Sequence, residues 1–267
     1  MQAAPPAQAT PAQQAAPATA EAEKKTLDQS SSQVAAAPPR ANTAVIPQLN
    51  RGFTAKHDAN AELAKKGDID LLFMGDSITD FWRNTPRGGA TGDAAPLAGK
   101  PVFDKYFGSL KTANFGIAGD TTQGVLWRLE NGEGEGFKPK AIMLMIGTNN
   151  TGGRGGRGNT AQEIAMGVAA DVYEMRKDFP DAKILLLGIF PRGGANDPAR
   201  EKIAEINKII SALNDNQHVF YLDIGSKFLA EDGSIPKDVM SDGLHPTTKG
   251  YEIWAQAVKE TLDNLMK

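Results

Sequence analysis

Cysteine is absent from the 267 residues, so the chain can build no disulfide frame, no thiolate nucleophile and no Cys-ligated zinc site. Histidine is scarce, with three residues far apart at 57, 218 and 245, and neither an HExxH pair nor an EF-hand loop occurs; no metal and no other cofactor is expected. An excess of charge of one sign is missing too. The 29 basic and 32 acidic residues are interspersed, which leaves no electrostatic footprint for nucleic acid or an anionic membrane. No stretch approaches the roughly 18 apolar residues of a membrane span. The longest apolar runs, such as Ile184–Leu187, have strand length.

Residues 1–44 lack aromatic side chains, have few branched apolar ones and are rich in Ala, Pro, Gln and Ser, so they cannot offset the entropy of ordering. They are expected to form a disordered tail, with residues 45–267 as one domain. The first residues have neither a basic n-region nor an apolar h-region and do not make a signal peptide. Their composition resembles the spacer that follows such a peptide in an exported protein, so the expected compartment is secreted or periplasmic.

Five short apolar runs follow, Asp70–Met74, Thr112–Phe115, Ala141–Ile146, Lys183–Ile189 and Val219–Leu222, and they read as buried strands. Between and after them, apolar residues recur at helical spacing: Ile164, Val168, Val172 and Met175; Ile203, Ile206, Ile210 and Leu213; Tyr251, Trp254, Val258, Leu262 and Leu265. Strands that are apolar throughout, alternating with helices, predict a parallel five-stranded sheet covered on both faces, a three-layer α/β/α fold. Trp127 and Trp254 sit among apolar neighbours and are expected in the core.

In such a sheet the site forms at the carboxyl ends of the strands. Three polar and glycine clusters fall there: Gly75-Asp76-Ser77, Gly116-Ile117-Ala118-Gly119-Asp120 and Gly147-Thr148-Asn149-Asn150. Ser77 suits a nucleophile, because Gly75 permits the sharp turn that exposes a hydroxyl. Equally, Asp76 or Ser77 could simply cap a helix beginning near Ile78. Asp242 and His245, three residues apart before the last helix, could form a base and the carboxylate that orients it, or an ordinary polar loop ahead of a proline. His57 and His218 read as structural. Gly119 and Asn149 could join the Ser77 backbone N–H as oxyanion donors, although both residue types also favour turns. Neither a GxSxG elbow, a phosphate loop nor a complete GxGxxG is found.

The order of these blocks is more specific than any one of them. GDS after the first strand, GxxGDTT after the second, GTNN after the third and DxxH before the last helix resemble the SGNH (GDSL) hydrolases from about Arg51 onward. NFGIAGDTTQGVLWRLENGE, IGTNN and LGIFPRG are further similar to the catalytic subunits of platelet-activating-factor acetylhydrolase IB and their bacterial relatives. The resemblance implies a flavodoxin-like sheet and a Ser–His–Asp triad of Ser77, His245 and Asp242. It also implies an oxyanion hole from Ser77, Gly119 and Asn149, no metal, and hydrolysis of small acyl esters, chiefly acetyl.

The glycine- and arginine-rich TGGRGGRGN after GTNN, with Arg154 and Arg157, and the long segment Arg83–Tyr106 border the expected site and set this chain apart from that pattern. The Gly, Arg, Thr, Ala and Pro content of Arg83–Lys100 and Thr151–Asn159 suits a polar alcohol such as a sugar better than an alkyl chain. The expectation is a serine esterase on short-chain esters, its partner a small-molecule ester, possible as a subunit of an oligomer. The alternatives are a lysophospholipase- or lipase-like acylhydrolase, or a non-catalytic carbohydrate- or partner-binding module on the same fold.

Overall fold

Each apolar run supplies two faces, because successive side chains of a strand point to opposite sides of the sheet. The computed structural model realises this with five parallel strands, β1 (Leu71–Gly75), β2 (Thr112–Asn114), β3 (Ala141–Met145), β4 (Lys183–Leu187) and β5 (Val219–Leu222), in the order β2-β1-β3-β4-β5. Phe73 pairs with Asn114 on one side and Met143 on the other. The structure describes residues 1, 40–85, 98–152 and 158–267. Most of the expected tail, much of the Arg83–Tyr106 segment, and Arg154 and Arg157 lie outside the described residues.

On one face Leu72, Met74, Ile142, Leu144, Ile184 and Leu186 pack against α4 (Thr122–Arg128), α5 (Ala161–Asp178) and α6 (Pro198–Ile210). On the other, Leu71, Phe73, Met143, Met145, Leu185 and Leu187 meet the short helix α2 (Ser77–Asp80), α3 (Lys100–Phe107) and α7 (Thr248–Leu265). Helix α1 (Thr54–Lys65) precedes β1. Trp82 and Trp254 lie with ring centroids 5.1 Å apart, both fully buried, and anchor the second layer. Full burial of each large apolar side chain contributes about 1.5–3 kcal/mol, so both layers hold the sheet. Trp254 is thus core, while Trp127 is half-buried with its ring edge-on to His57 at 5.0 Å. Strands β2, β3 and β4 end one or two residues before their apolar runs do, β1 ends one residue later at Gly75, and β5 spans its run as expected.

The compact unit runs from Asn42 to Lys267, three residues earlier than the expected boundary. A single turn, Thr43–Val45, capped by the Asn42 side chain, buries Ala44 completely. Thr122 Oγ1 donates to Ala44 O at 2.8 Å, and Asn159 Nδ2 to Thr43 Oγ1 at 3.0 Å. A second capped turn, Arg51–Phe53, leads into α1. Among the described residues no helix is long and apolar enough to cross a membrane.

Candidate active site

The sheet order reverses direction between β1 and β3, and the loops that leave these strands part there to form a crevice at their carboxyl ends. Ser77 begins α2 immediately beyond β1. A Cβ on Gly75 would lie 2.3 Å from Thr79 Oγ1 and 2.4 Å from Met145 O, so only glycine lets the chain double back so closely. Asp76 is the cap of α2, its Oδ1 accepting Ile78 N–H at 2.9 Å. Of the two sequence readings of this tripeptide, the structure shows the cap, and it is Asp76 that makes it. Burial pushes the Asp76 carboxyl up to about 7, with the Asp120 charge adding to the effect against the Ile78 hydrogen bond.

Ser77 Oγ lies 2.9 Å from His245 Nε2, and His245 Nδ1 lies 2.7 Å from Asp242 Oδ2. Asp242 uses its other oxygen on the backbone, accepting Leu244 N–H at 3.0 Å and His245 N–H at 2.8 Å. Burial alone would raise this carboxyl, yet the hydrogen bonds from the His245 ring and the two backbone N–H groups hold it below its ordinary value. It stays an anion at neutral pH, and an N–H on the Nδ1 that faces it leaves Nε2 as the acceptor. The Phe81 ring packs 5.1 Å from the imidazole. His57 is buried with Nδ1 3.0 Å from Glu133 Oε1, and His218 lies beside Asp215 on the surface, so neither reaches Ser77.

The three residues expected as oxyanion donors follow three adjacent strands, β1, β2 and β3. The Ser77 backbone N–H heads α2, and no hydrogen bond engages it or the Gly119 N–H among the described residues. Gly119 has φ +89, a conformation that favours glycine. Asn149 follows β3, and its Nδ2 donates to Asp120 O at 2.7 Å, leaving its second hydrogen to point elsewhere.

The residues that hold this loop carry no signal of that role in the sequence. Asp80 Oδ2 accepts Ala118 N–H at 2.9 Å and also pairs with Lys56. Arg83 donates to Gly116 O at 2.6 Å and Asn114 O at 3.0 Å. Behind the loop, fully buried Arg128 donates to Asp120 Oδ2 at 2.9 Å through Nε and pairs with Glu133, which returns toward the helix after a break at Asn131 and Gly132. Asp120, Arg128 and Glu133 lie inside the quoted motif, but an arginine on a helix reads as a solvated residue unless its partners are known.

A model of the GDSL-like lipase/acylhydrolase family matches residues 73–253. Platelet-activating factor acetylhydrolase IB subunit alpha2 of Rattus norvegicus is 34% identical over 233 residues, covering 85% of this chain and 93% of its own. A GDSL-like lipase of Bacteroides thetaiotaomicron superposes with a TM-score of 0.59 at 20% identity, over 79% of this chain and 97% of that one. An acetylxylan esterase of Geobacillus stearothermophilus does so with a TM-score of 0.55 at 24% identity, over 75% and 96%. These two likenesses show a common fold. The family model and the 34% relative place the chain in the GDSL-like lipase/acylhydrolase family, as a carboxylic ester hydrolase.

Proposed function

We propose that the enzyme hydrolyses short-chain esters, chiefly acetyl esters of polar alcohols such as sugars, through an acyl-enzyme on Ser77. The observation that carries this reading is the unbroken chain from Ser77 Oγ through His245 to Asp242. His245 Nε2 takes the Oγ proton as Oγ attacks the ester carbon, and the carbonyl oxygen becomes an oxyanion held by Ser77 N–H, Gly119 N–H and Asn149 Nδ2. Collapse of the adduct breaks the bond to the alcohol, whose oxygen receives the proton from His245. Water then repeats the sequence on the acyl-serine and releases the acid. Asp242 remains ionised throughout and stabilises the imidazolium.

The short acyl group is supported by the words acetylhydrolase and acetylxylan esterase in the names of the two relatives. A long alkyl chain would need an apolar groove worth roughly 0.8 kcal/mol per buried methylene. The test is a series of nitrophenyl esters with wild type, Ser77→Ala and His245→Ala. Wild type should prefer acetyl or propionyl and fall steeply by octanoyl, and either substitution should cost on the order of a thousandfold in kcat/KM with an unchanged fold. Specificity rising toward decanoyl would overturn the acyl preference. Near-normal turnover by Ser77→Ala would overturn the mechanism.

A further inference from the structure

We infer that the turn-rich segment before α1 forms the subsite for the alcohol part of the ester, and that this part is polyhydroxylated. A cleft of about 530 Å³ lies between residues 48–53 and the loop after β2, and Gly119 forms part of its wall. The cleft therefore opens beside a proposed oxyanion donor. Its lining is rich in hydrogen-bond donors that nothing engages among the described residues. The Arg51 guanidinium and the Gln48 side chain have no partner, Asn50 uses only Oδ1 to accept Gly52 N–H, and Gln123 uses only Oε1 to accept from Thr122 and Asn150. Phe53 adds the one aromatic ring, half-buried, its Cζ 3.4 Å from where a Cβ on Gly119 would stand.

Unengaged amides and a guanidinium around one ring disfavour an alkyl chain, which would desolvate them without replacing their hydrogen bonds, and suit a sugar, whose hydroxyls accept and whose C–H face lies on an aromatic. The inference rests on the acetyl-ester reading. A two-carbon acyl group ends at the serine, so only the alcohol can extend into a cleft of this size. The segment is anchored, with Gln48 N–H donating to Gln123 O at 2.9 Å and the Arg51–Phe53 turn capped by Asn50, so the cleft does not depend on a ligand to form.

The experiment compares kcat/KM for singly acetylated xylobiose and for 4-nitrophenyl acetate in wild type, Phe53→Ala and Arg51→Ala. The acetyl-enzyme is common to both substrates, so an effect on the alcohol subsite appears in the ratio of the two values. The ratio should fall about tenfold in Phe53→Ala and several-fold in Arg51→Ala, chiefly through KM, and free xylobiose should inhibit wild type more strongly than Phe53→Ala. Arg51 is exposed and its replacement cannot unfold the chain, so the second variant stands if the first is unstable. An unchanged ratio in both variants, or a wild type that cleaves nitrophenyl acetate but not the sugar ester, overturns the subsite while leaving the esterase reading intact. Failure of wild type on nitrophenyl acetate as well would overturn the reading beneath it.

Discussion

The side-chain amide of Asn149 is tied to the backbone carbonyl of Asp120 by a 2.7 Å hydrogen bond, so the loop after β3 is braced directly on the loop after β2. One hydrogen of the amide is thereby committed to structure, which fixes where the other points. Asn149→Ala removes both the brace and the donor. It should lower kcat for nitrophenyl acetate roughly 100- to 1,000-fold with a small change in KM, the usual cost of one oxyanion donor. Steady-state kinetics with the variant check this, and a loss confined to KM would show that the amide binds substrate rather than the transition state.

Arg128 holds the same loop from behind, fully buried between Asp120 and Glu133. Arg128→Met preserves much of the volume but leaves two carboxylates in the interior without their counter-charge. The expected cost is about 3–5 kcal/mol, the range for breaking one side of a buried ion pair. Urea titration measures it. A variant as stable as wild type would mean that the carboxylates take up protons at little cost, and the pair would then have no part in holding the Gly119 loop.

Asp171 gives the protein a pH-dependent stability of a defined sign. Both its carboxylate oxygens are buried in α5 without a hydrogen-bond partner, and burial first, then the Asp120 charge, raise its pKa well above the ordinary value despite Arg128. A raised carboxyl means the folded state holds the proton more tightly. The stabilisation is complete below the unfolded carboxylate pKa of about 3.9 and declines as pH climbs toward the folded value, by up to about 1.4 kcal/mol per pH unit. Asp76, at about 7, contributes with the same sign up to that pH. Melting curves of wild type and Asp171→Asn at pH 5 and pH 8 should separate, the variant gaining on wild type at the higher pH. Parallel pH profiles would contradict the assignment.

The turn Thr43–Val45 makes its own prediction. A chain beginning at Asn42 and one beginning at Ile46 differ by a buried alanine and the acceptor of Thr122 Oγ1. Thr122 would lose its 2.8 Å acceptor and keep, as a donor, only the longer contact with Gln123 Oε1, a net loss of about 0.5–1.5 kcal/mol for that bond. The shorter chain should melt several degrees lower, and equal melting temperatures would show that the turn is dispensable.

The layers were legible in the sequence because burial on both faces writes a strand as a continuous apolar run, and each covering helix carries a single apolar stripe. The side chains that meet at Ser77 were legible for another reason: loops at one end of a parallel sheet converge whatever their separation along the chain. What stayed hidden has no periodic signal. The segment 42–53 consists of two isolated turns of mostly polar residues, so nothing in its pattern reveals Ala44 in the core or Phe53 against Gly119. Arg128 and Asp171 belong to residue types that normally face water, and only their neighbours across the fold explain their burial.

Helix α7 does more than follow the histidine loop. Tyr251 Oη, inside it, donates to Ile78 O at 2.8 Å, so the last helix steadies the turn that carries Ser77 as well as positioning His245. Along the chain Ser77, its capping Asp76, Gly119 and Asn149 all precede His245 and Tyr251. A chain cut before residue 245 would therefore keep Ser77 but lose both the imidazole beside its Oγ and the tyrosine that holds its turn.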